Sequence, residues 1–317
     1  MPPACLPVSC RQPACRGPAS CRRAAGLPGL ADRPRRRVHG LLHALVLPVA
    51  AALLVACSGP GGALDRAAAP ELVLRGPVVL LGEVHDNAAQ HRLRLAAFER
   101  WLAGGARPAL VLEQFDRERQ AEIDALRART PPPDADALIA AVGARGWDWA
   151  LYRPYIALAL QHDLPIVAAN VSREQARKVM REGLAAHGFE PAVPPGLLAR
   201  LGREIEASHC GALDTTMAER MALGQVARDQ AMARAVEAQA QAGRAVLLLA
   251  GNGHVRVDAG APRWLSAATR ARSVAIGVLE TEPGQPPDAA ELAQFDRVVT
   301  TPVQQRGDPC SGMKRPG

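Results

Sequence analysis

The fold is set by a pattern that first occurs in residues 77–102, PVVLLGEVHDNAAQHRLRLAAFERWL. Residues 77–81 form an unbroken aliphatic run, which is typical of a strand that is buried on both faces of a sheet. Residues 82–87 are polar or small, and residues 88–102 then carry apolar side chains at helical spacing. A buried strand followed directly by a helix is one unit of an α/β fold.

The same alternation continues along the chain. Aliphatic runs recur at 109–112, 165–169, 245–250 and 273–279. Segments with helical spacing lie between them, at 116–128, 154–162, 172–187 and 213–242. We therefore predict an α/β fold, with a mostly parallel central sheet, helices on both faces and a helical subregion.

Polar residues follow four of the predicted strands. In parallel sheets ligands bind beyond the carboxyl ends of the strands, so these residues are the first candidates for a site. The set comprises Glu83 and His85, Glu113, Asn170 and His254. His85 and His254 each end a Gly-x-x-His element, in which the glycine permits a tight backbone path.

These residues allow two interpretations. His85, Glu113 and His254 could hold a divalent metal such as zinc or manganese, with Glu83 as general base. Alternatively, the histidines cap helices and bond neighbouring loops. His91, six residues after His85, could simply lie on a helix surface.

Aromatic residues concentrate in residues 146–155, GWDWALYRPY, which hold both tyrosines of the chain and two of its four tryptophans. Such a cluster indicates a stacking pocket or, alternatively, a core or interface. Arg153 could bind a carboxylate and favour ionisation of Tyr152. A phenolate suits ferric iron, and tyrosine is a known axial ligand of haem.

The positive net charge of +7 is confined to the start of the chain. Residues 1–57 contain eight arginines and one acidic residue, whereas residues 58–317 contain 30 basic and 30 acidic residues. The body of the chain therefore has no basic surplus, and no nucleic-acid partner is expected. The composition, 48% hydrophobic and 22% charged, also excludes a chain that is disordered throughout, a collagen-like chain and a multi-span membrane protein.

The start of the chain has the features of an export signal. Residues 40–56 are a 17-residue apolar run that follows four arginines and ends in small residues before Cys57. Residues 54–57, LVAC, resemble the lipobox of bacterial lipoproteins, in which the cysteine is acylated. An uncleaved membrane anchor is the alternative. Residues 1–37 are long and rich in proline and arginine for a signal peptide, so translation could start later, for example at Val38.

These features divide the chain into four segments. We expect a signal peptide at 1–56, a lipidated Cys57 with a flexible spacer at 57–71, one domain at 72–300 and a disordered tail at 301–317. Within the domain, we expect Cys210 to be a small packed thiol. Met217 and Met221 form an apolar row that is typical of a core, or that could line a hydrophobic pocket.

Taken in order, several motifs resemble the ChaN-like haem-binding lipoproteins, which belong with the Tiki metalloproteases and erythromycin-esterase-like proteins. The motifs are GEVHDNAAQH at 82–91, VLEQFDR at 111–117, WDWALYRP at 147–154, PIVAAN at 165–170, HCG at 209–211, RDQAMA at 228–233 and LLAGNGHVRVDAG at 248–260.

The resemblance implies a lipid-anchored protein of the bacterial cell envelope, at the outer membrane, that serves haem or iron acquisition. It implies haem held at a homodimer interface, with two cofacial haems. It also implies Tyr152 as axial ligand and His209 as a haem contact from the same or the partner chain, and Tyr155 could take the place of Tyr152. The rival hypotheses are the metal-dependent hydrolase, of protease or esterase type, and an envelope scaffold with a degenerate site.

Overall fold

The computed structural model describes residues 71–311, which are built around a six-stranded sheet. The strands are β1 (Val78–Leu81), β2 (Ala109–Asp116), β3 (Ile166–Asn170), β4 (Val246–Leu249), β5 (Ser273–Thr281) and β6 (Arg297–Pro302). They lie in the order β3-β2-β4-β1-β5-β6, and every neighbouring pair is parallel. The predicted α/β fold is confirmed, and each predicted aliphatic run lies in one of the first five strands.

Ten α-helices surround this sheet within the described residues. They are α1 (Ala88–Ala103), α2 (Gln120–Arg127), α3 (Ala135–Val142), α4 (Trp149–Gln161), α5 (Arg173–Glu182), α6 (Leu197–Ser208), α7 (Thr215–Gln241), α8 (Asn252–Val255), α9 (Ala267–Arg270) and α10 (Ala289–Leu292). None of the helices in 71–311 combines the length and hydrophobicity that crossing a membrane requires.

The strands are aliphatic because both faces of the sheet are covered. In β1, Val79 and Leu81 pack into a cluster that includes Phe98 of α1, whereas Val78 and Leu80 pack into a cluster with Met232 of α7. All four β1 side chains are at most 1% exposed. Alternate residues of one strand thus enter two different cores, so no polar position interrupts the run.

The end of the described chain differs from the disordered tail expected at 301–317. β6 extends to Pro302 and pairs with β5. Beyond it, Arg306 forms ion pairs with Asp86 and Glu280. The sequence analysis did not predict these contacts because β6 is an edge strand with few aliphatic residues, and because both partners of Arg306 are distant in sequence.

The expectation that Cys210 is a small packed thiol was wrong. Cys210 forms a disulfide with Cys310. The two cysteines are 100 residues apart, so their spacing could not reveal the pairing. Cys57 and the apolar run before it lie outside the described residues.

Candidate functional site

A cavity of about 750 Å³ opens at the carboxyl edge of the sheet. Residues that follow four adjacent strands contribute to its lining: His85 after β1, Glu113 in β2, Asn170 at the end of β3 and His254 after β4. The segment 144–148, Tyr152 of α4, the start of α5, and Gln225 and Arg228 of α7 also line it. The expectation that these strand ends meet at one site is therefore confirmed in the geometry.

Glu83 is buried beside this cavity and joins three side chains. Its Oε1 accepts a hydrogen bond from the Tyr152 hydroxyl at 2.5 Å and lies 2.8 Å from Nδ1 of His85. Its Oε2 forms an ion pair with Arg94. Because a carboxylate only accepts hydrogen bonds, Nδ1 of His85 is the donor in this contact.

Arg94 makes the burial of this carboxylate tolerable. Both side chains of the pair are fully buried, where a lone charge would be strongly destabilised. Arg94 faces the site because α1 begins at Ala88, directly after the N-cap Asn87, whose side chain accepts from the backbone N–H of Gln90. The first two turns of α1 therefore point polar side chains, and not only apolar ones, towards the sheet.

Glu113 connects the second half of the site. Its Oε2 accepts from the backbone N–H of Gly251 at 2.7 Å, and its Oε1 lies 3.5 Å from Nε2 of His254. The other ring nitrogen of His254, Nδ1, lies 2.6 Å from Oδ1 of the buried Asp229. Asp229 and Glu113 thus hold the imidazole of His254 between two carboxylates.

The glycine of each Gly-x-x-His element permits this close packing. A Cβ on Gly251 would lie 2.9 Å from ring atoms of His85, and a Cβ on Gly82 would collide with the side chain of Asn252. The loops after β1 and β4 can therefore approach each other only because both positions lack a side chain.

Burial shifts the protonation of several of these groups. Burial raises the pKa of Tyr152 well above its usual value, and it raises the pKa of Asp229 to about 6, against the opposing effect of His254. For His254, burial disfavours the charged ring, but Glu113 and Asp229 outweigh it and its pKa is raised. The site therefore has groups that can exchange protons near neutral pH, and a phenol that stays protonated unless a partner takes its proton.

Comparison with known proteins identifies the family. The sequence model of the family "Haem-binding uptake, Tiki superfamily, ChaN" matches residues 72–265. The chain belongs to this family. Among solved structures, it is similar to ChaN of Campylobacter jejuni, solved for its cofacial haem binding, with a TM-score of 0.57 and 20% sequence identity. That similarity covers 70% of this chain and 86% of the other, and it shows a shared fold.

Two further structures are more distant from this ChaN-family chain. A mutant of the erythromycin esterase EreC in its open conformation matches with a TM-score of 0.37 and 12% identity, over 65% of this chain and 70% of the other. The type III effector HopBA1 matches with a TM-score of 0.38 and 17% identity, over 72% and 88%. No curated protein sequence matches significantly.

Of the four residues expected to contact haem, only Tyr152 lines the cavity of the ChaN-family chain. Arg153 is half exposed and makes two hydrogen bonds of 2.6 Å to Asp136. Tyr155 is fully buried, and its hydroxyl donates to the backbone carbonyl of His91 at 2.9 Å. His209 ends α6, where its ring nitrogen Nδ1 lies 2.8 Å from the carbonyl of Ile205. Within residues 71–311, the lining of the cavity does not include Arg153, Tyr155 or His209.

The residues of the metal interpretation do come together, but the described residues contain no group of three or more His, Cys, Asp or Glu side chains that could hold a metal ion. Nε2 of His85 and Oε1 of Glu113 are 3.9 Å apart. Neither Met217, which is exposed, nor Met221 lines the cavity. His91 is 4% exposed, and its Nε2 lies 2.9 Å from the carbonyl of His85, so it is not a surface residue.

The charged residues of the site that the sequence analysis did not single out include Arg94 and Asp229. Both are buried polar positions on helices whose other inward side chains are mostly apolar. A charge at an inward position of an amphipathic helix is the one signal that could have identified them, because a buried charge requires a partner.

Proposed function

We propose that this chain binds haem in the cavity at the carboxyl edge of its sheet, as cargo that is captured and handed over in haem or iron acquisition. The observation that carries the proposal is the clustering of the Tyr152 phenol, the His85 imidazole and the Trp147 indole at one cavity of a chain in the haem-binding uptake family. The cavity volume of about 750 Å³ is in the range of sites for organic ligands of this size.

The residues present fit haem chemically. A porphyrin has two apolar faces, an iron that takes nitrogen or oxygen ligands, and two carboxylates. Trp147 supplies an apolar surface, and its ring packs edge-on against that of His85, with centroids 4.8 Å apart. Tyr152 and His85 supply the oxygen and nitrogen donors.

We propose Tyr152 as the axial ligand. The Tyr152 hydroxyl donates a hydrogen bond to Glu83, and its oxygen lies 3.5 Å from Nδ1 of His85. Glu83 is therefore the group placed to accept this proton when the phenol oxygen binds iron. That arrangement would offset the high pKa that burial gives the free phenol.

We further propose that the protein is anchored in the bacterial envelope, at the outer membrane, through acylated Cys57, and that it binds haem as a homodimer. The apolar run before Cys57 supports the anchor. The cofacial haem binding for which the Campylobacter jejuni structure was solved supports a dimer. Haem held between two chains would link binding to dimerisation, so haem should favour the dimer.

Titration of the full-length protein, in mild detergent, with ferric haem tests the proposal. We expect a shifted Soret band with tyrosinate features, saturation at one haem per chain, and a larger species in size-exclusion chromatography when haem is present. Tyr152→Phe should remove the tyrosinate features. It should also weaken haem binding about tenfold or more, because it removes the proposed coordinate contact to iron.

Tyr155→Phe is the matched control, because it removes the same hydroxyl from a buried tyrosine that does not line the cavity. It should leave the absorbance spectrum unchanged. A wild-type protein that stays colourless with excess haem would refute the proposed function, and equal effects of the two substitutions would refute the assignment of Tyr152.

A further inference from the structure

Three arginines line the cavity without a carboxylate partner. They are Arg145, Arg173 and Arg228. The ion pairs of residues 71–311 use ten other arginines and none of these three. Asp116 also lines the cavity and forms no ion pair with any of them, although Arg228 and Arg173 act electrostatically on its carboxylate.

Neutral groups hold two of these guanidinium groups in place. Nη1 of Arg228 donates to Oδ1 of Asn170 at 2.6 Å and to the backbone carbonyl of Val171 at 3.2 Å. Arg173 packs against Gly146, where a Cβ would lie only 2.5 Å from its Nη2. Gly146 has a φ of +93°, which favours glycine for a second reason. Both guanidinium groups are therefore positioned by neutral contacts, although Arg228 also feels the charges of Glu113, Asp116 and Asp229 without a direct ion pair.

Three acidic side chains of the same wall are engaged elsewhere. Asp86 pairs with Arg306 at 2.6 Å, and Glu174 pairs with Lys178 at 2.8 Å. Asp148 caps α4, where its side chain accepts from a backbone N–H of the first turn. These three carboxylates have partners of their own, so Asp116 is the lining carboxylate that competes with an entering anion for Arg173 and Arg228.

We propose that Arg145, Arg173 and Arg228 form the subsite for the two propionate carboxylates of haem, an assignment that rests on the proposed function. A guanidinium group matches a carboxylate with two parallel N–H donors, and its charge does not depend on pH in the physiological range. Arg145 and Trp147 lie in one loop, so the same segment offers a cation for the acidic edge of the porphyrin and an apolar ring for its face. His85 and Tyr152, which line the same cavity, are left for the iron.

Haem and its dimethyl ester, which lacks both carboxylates but keeps the iron and the ring, provide the test. We expect the full-length protein to bind haem about fivefold to thirtyfold more tightly than the ester, since partly exposed charge pairs contribute modestly. Arg145→Gln and Arg173→Gln should each reduce this ratio by weakening haem binding alone. Added salt should weaken binding of haem more than binding of the ester.

Arg153→Gln is the control, because Arg153 is an exposed arginine that pairs with Asp136 outside the cavity. It should leave the haem-to-ester ratio unchanged. Equal affinity of the wild type for haem and ester would overturn the subsite, and so would an equal loss for both ligands in Arg145→Gln and Arg173→Gln. If neither porphyrin binds, the proposed function fails and the subsite falls with it; if both bind equally, only the subsite fails.

Discussion

Asp229 and His254 show how burial sets the chemistry of single residues in this site. Their side chains are 2.6 Å apart, and both have raised pKa values, to about 6 for Asp229. Burial is the main cause for Asp229, whereas Glu113 and Asp229 overcome burial for His254. Each residue thus binds its proton more tightly in the folded protein than in the unfolded chain.

This pair should make the protein less stable as pH rises. The native state holds the Asp229 proton up to about pH 6, whereas the unfolded chain loses it near 3.8, so stability falls as pH rises through this window. The His254 contribution is fully present below 6.5 and is lost above it. We expect the free energy of unfolding, measured with denaturant, to decrease from pH 5 to pH 8, and to decrease less in Asp229→Asn.

Asp258→Asn is the matched control for this pH dependence. Arg256 and Arg200 lower the pKa of Asp258 to about 2 against the effect of its burial, so its stabilising effect is lost only below pH 4. The substitution should reduce stability at every pH between 5 and 8 without changing the slope. A wild-type protein of constant stability over this range would contradict the assignment.

At the scale of elements, the segment after β6 ties the end of the chain to the site. Arg306 binds both carboxylate oxygens of Asp86, at 2.6 and 2.7 Å, and Gln304 donates to the backbone carbonyl of Asp86 at 2.6 Å. Asp86 lines the cavity, next to His85. Four residues after Arg306, Cys310 forms the disulfide with Cys210 in the loop between α6 and α7.

Loss of this disulfide should destabilise the protein substantially. Cys310→Ser frees a loop of about 100 residues in the unfolded chain, which should lower the free energy of unfolding by about 2–4 kcal/mol. Denaturant unfolding with and without a reducing agent measures the effect. Reduction should lower the stability of the wild type to that of Cys310→Ser and leave the variant unchanged.

The double variant Cys210→Ser, Cys310→Ser controls for effects of the serines. Both substitutions remove the same bond, so the double variant should be about as stable as either single one. Additive losses, or a wild-type protein that is insensitive to reduction, would show that the bond does not form.

At the scale of the whole molecule, the basic charge and the candidate anchor lie in one part of the chain, and the candidate site lies in another. Residues 58–317 have equal numbers of basic and acidic residues, and the described part of them contains the cavity. The excess arginine precedes the apolar run that ends at Cys57. This order is expected if the start of the chain directs export and the rest folds outside the cytoplasm.

If Cys57 is acylated as proposed, the protein should incorporate labelled fatty acid. Full-length protein produced in a bacterial host with radiolabelled palmitate should incorporate label and sediment with membranes, whereas Cys57→Ser should do neither. Cys21→Ser is the control, since Cys21 precedes the apolar run and should not affect labelling. Incorporation that persists in Cys57→Ser would contradict the lipoprotein proposal.

The prediction of the fold from sequence was most successful where the physical requirement is local. Five strands were identified because each is buried on both faces and is therefore continuously aliphatic. The edge strand β6, with sequence RVVTTP, was missed because it is mostly polar or partly exposed and has no continuous aliphatic run. The short helices α3, α8, α9 and α10 were also missed, since four to eight residues give at most about two turns of helical spacing.

The sequence by itself determined the α/β fold, the family and the edge of the sheet where the polar loops meet, because aliphatic runs, turn glycines and ordered motifs are properties of neighbouring residues. Only the tertiary structure decided which side chains meet there. It paired Arg94 with Glu83, Asp229 with His254 and Arg306 with Asp86, and it turned Arg153 and Tyr155 away from the cavity. Such pairings satisfy buried charges across long stretches of chain, and they leave no periodic signal in the sequence.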